Sequence, residues 1–156
     1  MELKSMIITV NSKTKTPMKP TLTTILIFLT LTGFGQTLML QNRKARIKQD
    51  MHLYSEWNRT VTAQDYLEYQ CQNTAIAYRF TDDTRHEFTG KWICTEIYKT
   101  MPVDCKLLYV QRGYDDQCWR EIAPDMWIFY ADEFMGHVIV QAIDTAETVT
   151  FVFKLM

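Results

Sequence analysis

The chain has 156 residues, 47 % of them apolar and 13 % aromatic, with five glycines and four prolines, a composition that excludes wholesale disorder in a length that excludes two independent cores. Its formal net charge of −1 hides a split: residues 36–59 carry five basic side chains against two acidic ones, and residues 60–156 carry eight against fifteen. The main body therefore has the wrong sign for a phosphate backbone, which excludes nucleic acid as the expected partner.

The first predicted element is a leader. Residues 21–34 read TLTTILIFLTLTGF, an uncharged apolar run too short to cross a hydrocarbon core of about 30 Å as a helix. Lys13, Lys15 and Lys19 supply a basic region before it, and Gly33 and Gly35 place small residues at −3 and −1 of a cleavage site ahead of Gln36. Residues 1–35 are therefore expected to be an N-terminal extension and signal peptide, with Met18 the functional start and residues 1–17 an over-extended one. The segment resembles bacterial secretory signals that end in Phe-Gly-Gln. The alternative is an uncleaved membrane anchor, since residues 20–42 hold no charge and are long enough to span, and this is the one membrane attachment expected. Arg43, Lys44, Arg46 and Lys48 read as a solvated helix face. The expected location is secreted, periplasmic or cell-envelope.

Residues 36–72 are expected to form a helical lead-in. Ile47, Met51, Tyr54 and Trp57 recur three or four apart within residues 40–57, the spacing of one apolar stripe on an amphipathic helix. Thr62-Ala63-Gln64-Asp65 looks like an N-cap with an acid in the first turn, predicting a second short helix to about Tyr69. From Asn73 the pattern changes to β-branched and aromatic runs at 74–80, 87–98, 106–111, 117–122, 126–131, 137–143 and 148–155, separated by turn-competent sequences of hairpin length. The last run alternates most clearly, with Val149, Phe151, Phe153 and Leu155 on one face. The predicted class is α+β, mostly β: an N-terminal helix followed by an antiparallel meander of about seven strands over residues 73–156, forming a bent sheet or a small up-and-down barrel.

The four cysteines, Cys71, Cys94, Cys105 and Cys118, all follow the leader, and an even number in a small exported domain predicts disulfides in one of three connectivities. They include no C-x-x-C, and His52, His86 and His137 have no metal-ligand spacing, so neither a metal nor another cofactor is expected. Motifs for nucleophilic, metalloprotease and nucleotide chemistry are absent, and no catalytic residue is assigned. The acid pairs Asp82-Asp83, Asp115-Asp116 and Asp132-Glu133 read as turn residues; converging at one end of the fold, they would support a hydrolase.

Aromatic residues crowd the middle strands. Their first reading is core; the second is a binding platform for a sugar, an apolar ligand or a protein partner, on which Trp92, Tyr109, Trp119, Trp127 and Tyr130 are the candidate ligand-binding residues. Gly90-Lys91-Trp92 is similar to the Gly-x-Trp signature of lipocalins, whose fold is an eight-stranded ligand-holding barrel; the resemblance implies barrel geometry and no ligand residues. The expected function is a secreted or periplasmic binding or interaction module for a small apolar ligand or a protein partner. The alternatives are a secreted hydrolase and an anchored cell-envelope component.

Overall fold

A computed structural model describes residues 39–82, 92–131 and 136–156. The leader and Met18, Gly90-Lys91 of the lipocalin-like motif, and Asp83, Asp132 and Glu133 of the acid pairs lie outside the described residues. Within them the elements are helix α1 (Lys44–His52), strands β1 (Asn58–Thr62), β2 (Tyr66–Cys71), β3 (Thr74–Asp82) and β4 (Trp92–Pro102), a 3-10 turn (Val103–Cys105), helix α2 (Lys106–Gln117), and strands β5 (Arg120–Ala123), β6 (Met126–Ala131), β7 (Gly136–Asp144) and β8 (Thr148–Leu155). The class is as expected: mostly β, antiparallel, with a helix before the sheet.

All eight strands form one sheet in the order β1-β2-β3-β4-β8-β7-β6-β5. Two four-stranded meanders thus meet along a single seam, where Glu96 to Pro102 of β4 pair with Lys154 to Thr148 of β8. β1 and β5 are its two edges, so the sheet is open rather than a barrel. Both edge strands are short, fully exposed and interrupted by a register shift, which limits edge-to-edge association. Beyond the end of the seam, residues 41–43 occupy the place beside β4, where the Gln41 N–H donates to the Cys94 carbonyl (2.8 Å) and the Cys94 N–H to that of Asn42 (3.0 Å).

Strand alternation puts one face of the sheet in the core. Leu67, Tyr78, Ile97, Phe153, Val140 and Trp127 are successive cross-strand partners and form one buried row from β2 to β6. Both helices cover this face. Ile47 and Met51 of α1 are buried, and the Tyr78 hydroxyl lies 3.4 Å from the Met51 sulfur. The Tyr109 ring of α2 packs 4.6 Å from that of Phe151 on β8. Lys44 fixes α1 against the first hairpin by donating from its ammonium to the Ala63 and Gln64 carbonyls, with Phe80 beneath.

Several expected elements are corrected. The strand predicted at 106–111 and the turn after it are helix α2: Tyr109 and Gly113 are buried four residues apart while Leu107 and Leu108 are exposed, a helical and not an alternating pattern. The strand predicted at 117–122 is confined to β5. The helix predicted over 62–69 is instead the β1–β2 hairpin, because Leu67, Tyr69 and Cys71 all point into the core at a spacing of two. The first helix is nine residues long, shorter than the stripe over 40–57 suggested.

No cysteine is bonded in the structure; Cys71, Cys94 and Cys105 are buried thiols and Cys118 an exposed one, so the expected disulfides are corrected as well. Register explains much of this. Cys94 is level with Phe80 and Cys71 with Thr74, six residues along the same strand, or about 20 Å, far beyond the ~7 Å limit for a bridge. Cys105 and Cys118 stand at opposite ends of α2, also ~20 Å apart. Burial raises the Cys71, Cys94 and Cys105 thiol pKa values, that of Cys94 to about 12, which leaves them protonated and poorly nucleophilic at neutral pH.

The second meander is held to the N-terminus of α2 by Lys106, whose ammonium lies 2.6 Å from both Asp125 in the β5–β6 turn and Asp144 at the end of β7. The lysine is largely enclosed and bridges two turns that no other ion pair joins among the described residues. Lys106→Met is expected to cost about 1 kcal/mol in urea unfolding, by leaving two half-exposed carboxylates side by side without their cation, and 0.5 M salt should reduce that difference.

Candidate functional site

The face of the sheet turned away from the helices carries the other half of each alternation. From β2 to β6, its cross-strand partners run Tyr66, Arg79, Glu96, Lys154, Ile139, Ile128 in one row. The adjacent row is Glu68, Ala77, Tyr98, Val152, Gln141, Met126, and the next is Gln70, Ala75, Thr100, Thr150, Ile143. Large side chains on β2 and β4 thus flank two alanines on β3. Because β2 and β4 are two strand spacings apart, about 9.5 Å, the alanines form the floor of a trough one ring wide.

The trough has a volume of about 560 Å³ and is lined by Asp65, Tyr66, Glu68, Ala75, Ala77, Arg79, Tyr98, Thr100 and Thr150. At its Arg79 end it adjoins a second cleft of about 500 Å³, reached through Asp65 and Arg79 and bounded by Phe80, Asp82, Trp92 and Glu96. Each volume falls in the range of small-molecule sites, about 300–1,000 Å³.

Its walls are two tyrosine–glutamate couples in opposite order. On β2 the Tyr66 hydroxyl donates to Glu68 Oε2 at 2.9 Å, and Thr60 donates to Oε1 at 3.0 Å. On β4 the Tyr98 hydroxyl donates to Glu96 Oε2, and Lys154 sits 2.7 Å from Oε1. Arg79 stands between the walls, 3.8 Å from Glu96 and hydrogen-bonded to the Tyr98 hydroxyl. A residue and its neighbour two along share a strand face, so each ring is drawn along its strand by its own glutamate. On the floor, the Thr100 and Thr150 hydroxyls are 2.9 Å apart across the β4–β8 seam.

These contacts fix the charge states. Burial pushes the Glu96 carboxyl up, but the hydrogen bonds from Lys154 and Tyr98, with Arg79 nearby, outweigh it and hold the pKa below the ordinary carboxylate value. Burial and then the bond to Glu68 raise the Tyr66 phenol to about 12, and burial and then the bond to Glu96 raise that of Tyr98. Around neutral pH the Glu96 wall therefore presents a carboxylate, and both phenols are protonated.

The candidate aromatics from the sequence separate. Trp119, Trp127 and Tyr109 are 5 %, 4 % and 6 % exposed and lie in the core. Trp119 is its hub, with ring centroids 5.7–6.3 Å from Trp127, Phe129, Phe151 and Phe153 and 5.9 Å from Tyr109. Trp92 opens β4 and borders the second cleft, half-buried. Tyr130 is 54 % exposed on the far half of the open face, edge-on to His137. The trough residues Tyr66, Glu68, Arg79 and Tyr98 were not singled out by sequence reasoning. The signal available was the pair of tripeptides Tyr66-Leu67-Glu68 and Glu96-Ile97-Tyr98, each placing a ring and a carboxylate on one strand face with an apolar residue on the other.

Of the acid pairs, Asp82 ends β3 at the second cleft, whereas Asp115 and Asp116 are on α2, which packs over β8, so these do not converge. No group of three or more potential metal-ligating side chains forms among the described residues, nor is any described helix long and apolar enough to cross a membrane. No family model, curated protein or solved structure matches the chain.

Proposed function

We propose that the chain is an exported, non-catalytic binding module that holds a small ligand in the trough between Tyr66 and Tyr98. The observation that carries this reading is the alanine floor between two tethered tyrosine walls, a preformed depression on a face that no described element covers. Tethering each ring to its glutamate removes rotamer freedom before a ligand arrives, which lowers the ordering cost of binding. The lining is more polar than the apolar pocket expected from the sequence, so the ligand is one that forms hydrogen bonds as well as apolar contact. A hydrolase reading is disfavoured because both glutamates are engaged by partners of their own, Glu68 by Tyr66 and Thr60 and Glu96 by Tyr98, Lys154 and Arg79. Export is supported by the basic, apolar and small-residue order of residues 13–35; amino-terminal sequencing of the mature protein is expected to begin at Gln36.

The binding reading is tested by titrating the isotope-labelled chain with a mixture of small organic fragments, phenol and isopropanol among them, and following amide shifts. Shifts should cluster on Ala75, Ala77, Arg79 and Tyr98 and vanish in Ala77→Trp, whose indole fills the floor. Shifts scattered over the surface, or unchanged in that variant, would overturn it.

A further inference from the structure

Resting on the trough reading, we infer that the ligand is a neutral saccharide, held with the apolar face of a sugar ring against the tyrosine rings and its hydroxyl groups on the polar rim. Three observations lead to this class. The first is charge. The trough and the adjoining cleft together are lined by the carboxylates Asp65, Glu68, Asp82 and Glu96 against one cation, Arg79. An anionic ligand would face this acidic excess. A cation would find Glu68 and Glu96 occupied by their own donors, leaving Asp65 in the trough and Asp82 in the second cleft. A neutral ligand requires no such pairing.

The second is the kind of polar group on offer. Asp65, Thr100, Thr150 and Arg79 set acceptors, hydroxyls and a forked donor around one depression. Each hydroxyl of a sugar both donates and accepts, so a mixed rim satisfies it where a rim of one kind would leave groups unpaired. The rings supply what a polar rim cannot. The faces of Tyr66 and Tyr98 are apolar and rigid, and their hydroxyls are turned to Glu68 and Glu96.

The third is position. The trough lies in mid-sheet, where the backbone N–H and C=O groups of β2, β3 and β4 are consumed by their own ladders. An extended peptide, which gains affinity mainly by adding main-chain hydrogen bonds at a free sheet edge, finds none here. The second cleft adjoins the trough at Asp65 and Arg79, so the depression extends along the direction of β3 and has room for more than one sugar.

The test titrates the full chain, followed by amide shifts, with maltotriose, cellotriose and diacetylchitobiose as neutral probes, trigalacturonic acid as the anionic one and tetraalanine as the peptide. At least one neutral saccharide is expected to shift Ala75, Ala77, Arg79 and Tyr98 saturably. Its affinity should fall at least tenfold in Ala77→Trp and in Tyr66→Ala, which opens one wall instead of filling the floor. Trigalacturonate or tetraalanine shifting these amides while every neutral sugar leaves them unmoved would overturn the class assigned. So would fragments that cluster in the trough with no saccharide following them, and that outcome leaves the trough itself intact. Fragments missing the trough would instead remove the reading on which the class rests.

Discussion

Replacing Lys99 with methionine is expected to stabilise the protein at pH 7 by about 1–4 kcal/mol and to flatten its dependence on pH. Lys99 is on the core face of β4, 1 % exposed, with its ammonium 4.4 Å from the centre of the Tyr109 ring. Its cross-strand neighbours are Ile76 and Phe151. Burial, and then the nearby Arg112 cation, push its pKa from 10.5 down to about 7. Unfolded, the lysine binds a proton below about 10.5; folded, it does so only below about 7. Between those limits the unfolded state holds the extra proton, so stability rises with pH, by roughly 1 kcal/mol per pH unit between 7.5 and 8.5. Below pH 7 the full penalty is present and the curve levels off. The window closes near pH 9, where thiols such as Cys94 begin to ionise in the unfolded chain and act in the opposite direction. Urea titrations of wild type and Lys99→Met at pH 6.5, 7.5 and 8.5 check this: parallel curves with equal midpoints would show that the buried ammonium costs nothing.

Gly113→Ala should lower stability by about 3 kcal/mol, the reverse of the gain near 1 kcal/mol usual for this change within an exposed helix. A β-carbon at Gly113 would stand 2.2 Å from Cδ2 of Trp119. The indole cannot retreat, for five aromatic rings surround it and its Nε1 donates to Gln117 at 2.8 Å. The contact arises from how α2 ends: Cys118 adopts the left-handed conformation, φ 51°, and the N–H groups of Cys118 and Trp119 both point to the Gly113 carbonyl, folding the ring back over the glycine. In a Trp119→Ala background the cost of Gly113→Ala should disappear. A cycle showing equal costs in both backgrounds would separate the glycine from the indole.

What could be read from the residues was the part governed by short-range alternation. β6, β7 and β8 lie close to their predicted ranges because Trp127 and Phe129, Val138 and Val140, and Phe151 and Phe153 each recur at a spacing of two. The region around 106–111 misled because Leu107, Leu108 and Val110 resemble a buried strand; Tyr109 and Gly113 are the buried positions of α2, Val110 only borders the core, and the partner that requires this, Phe151, is some forty residues away. The first hairpin was hidden by its turns. Gln72 takes a positive φ of 51° between β2 and β3 without glycine, and the Thr62-to-Asp65 link imitates a helix cap. The trough was illegible for a related reason. Its floor is two alanines, and a depression exists only once register sets Tyr66 and Tyr98 on either side of them, information carried by pairing and not by local sequence.

The seam between β4 and β8 gives the last of the eight strands a central place. A folding intermediate in which the first four strands have formed leaves the long edge of β4 bare along residues 96–102, with Phe151 and Phe153 not yet docked. That edge is a template for a neighbouring chain until residues 148–155 cover it, so the state with β8 unpaired is the one most vulnerable to aggregation.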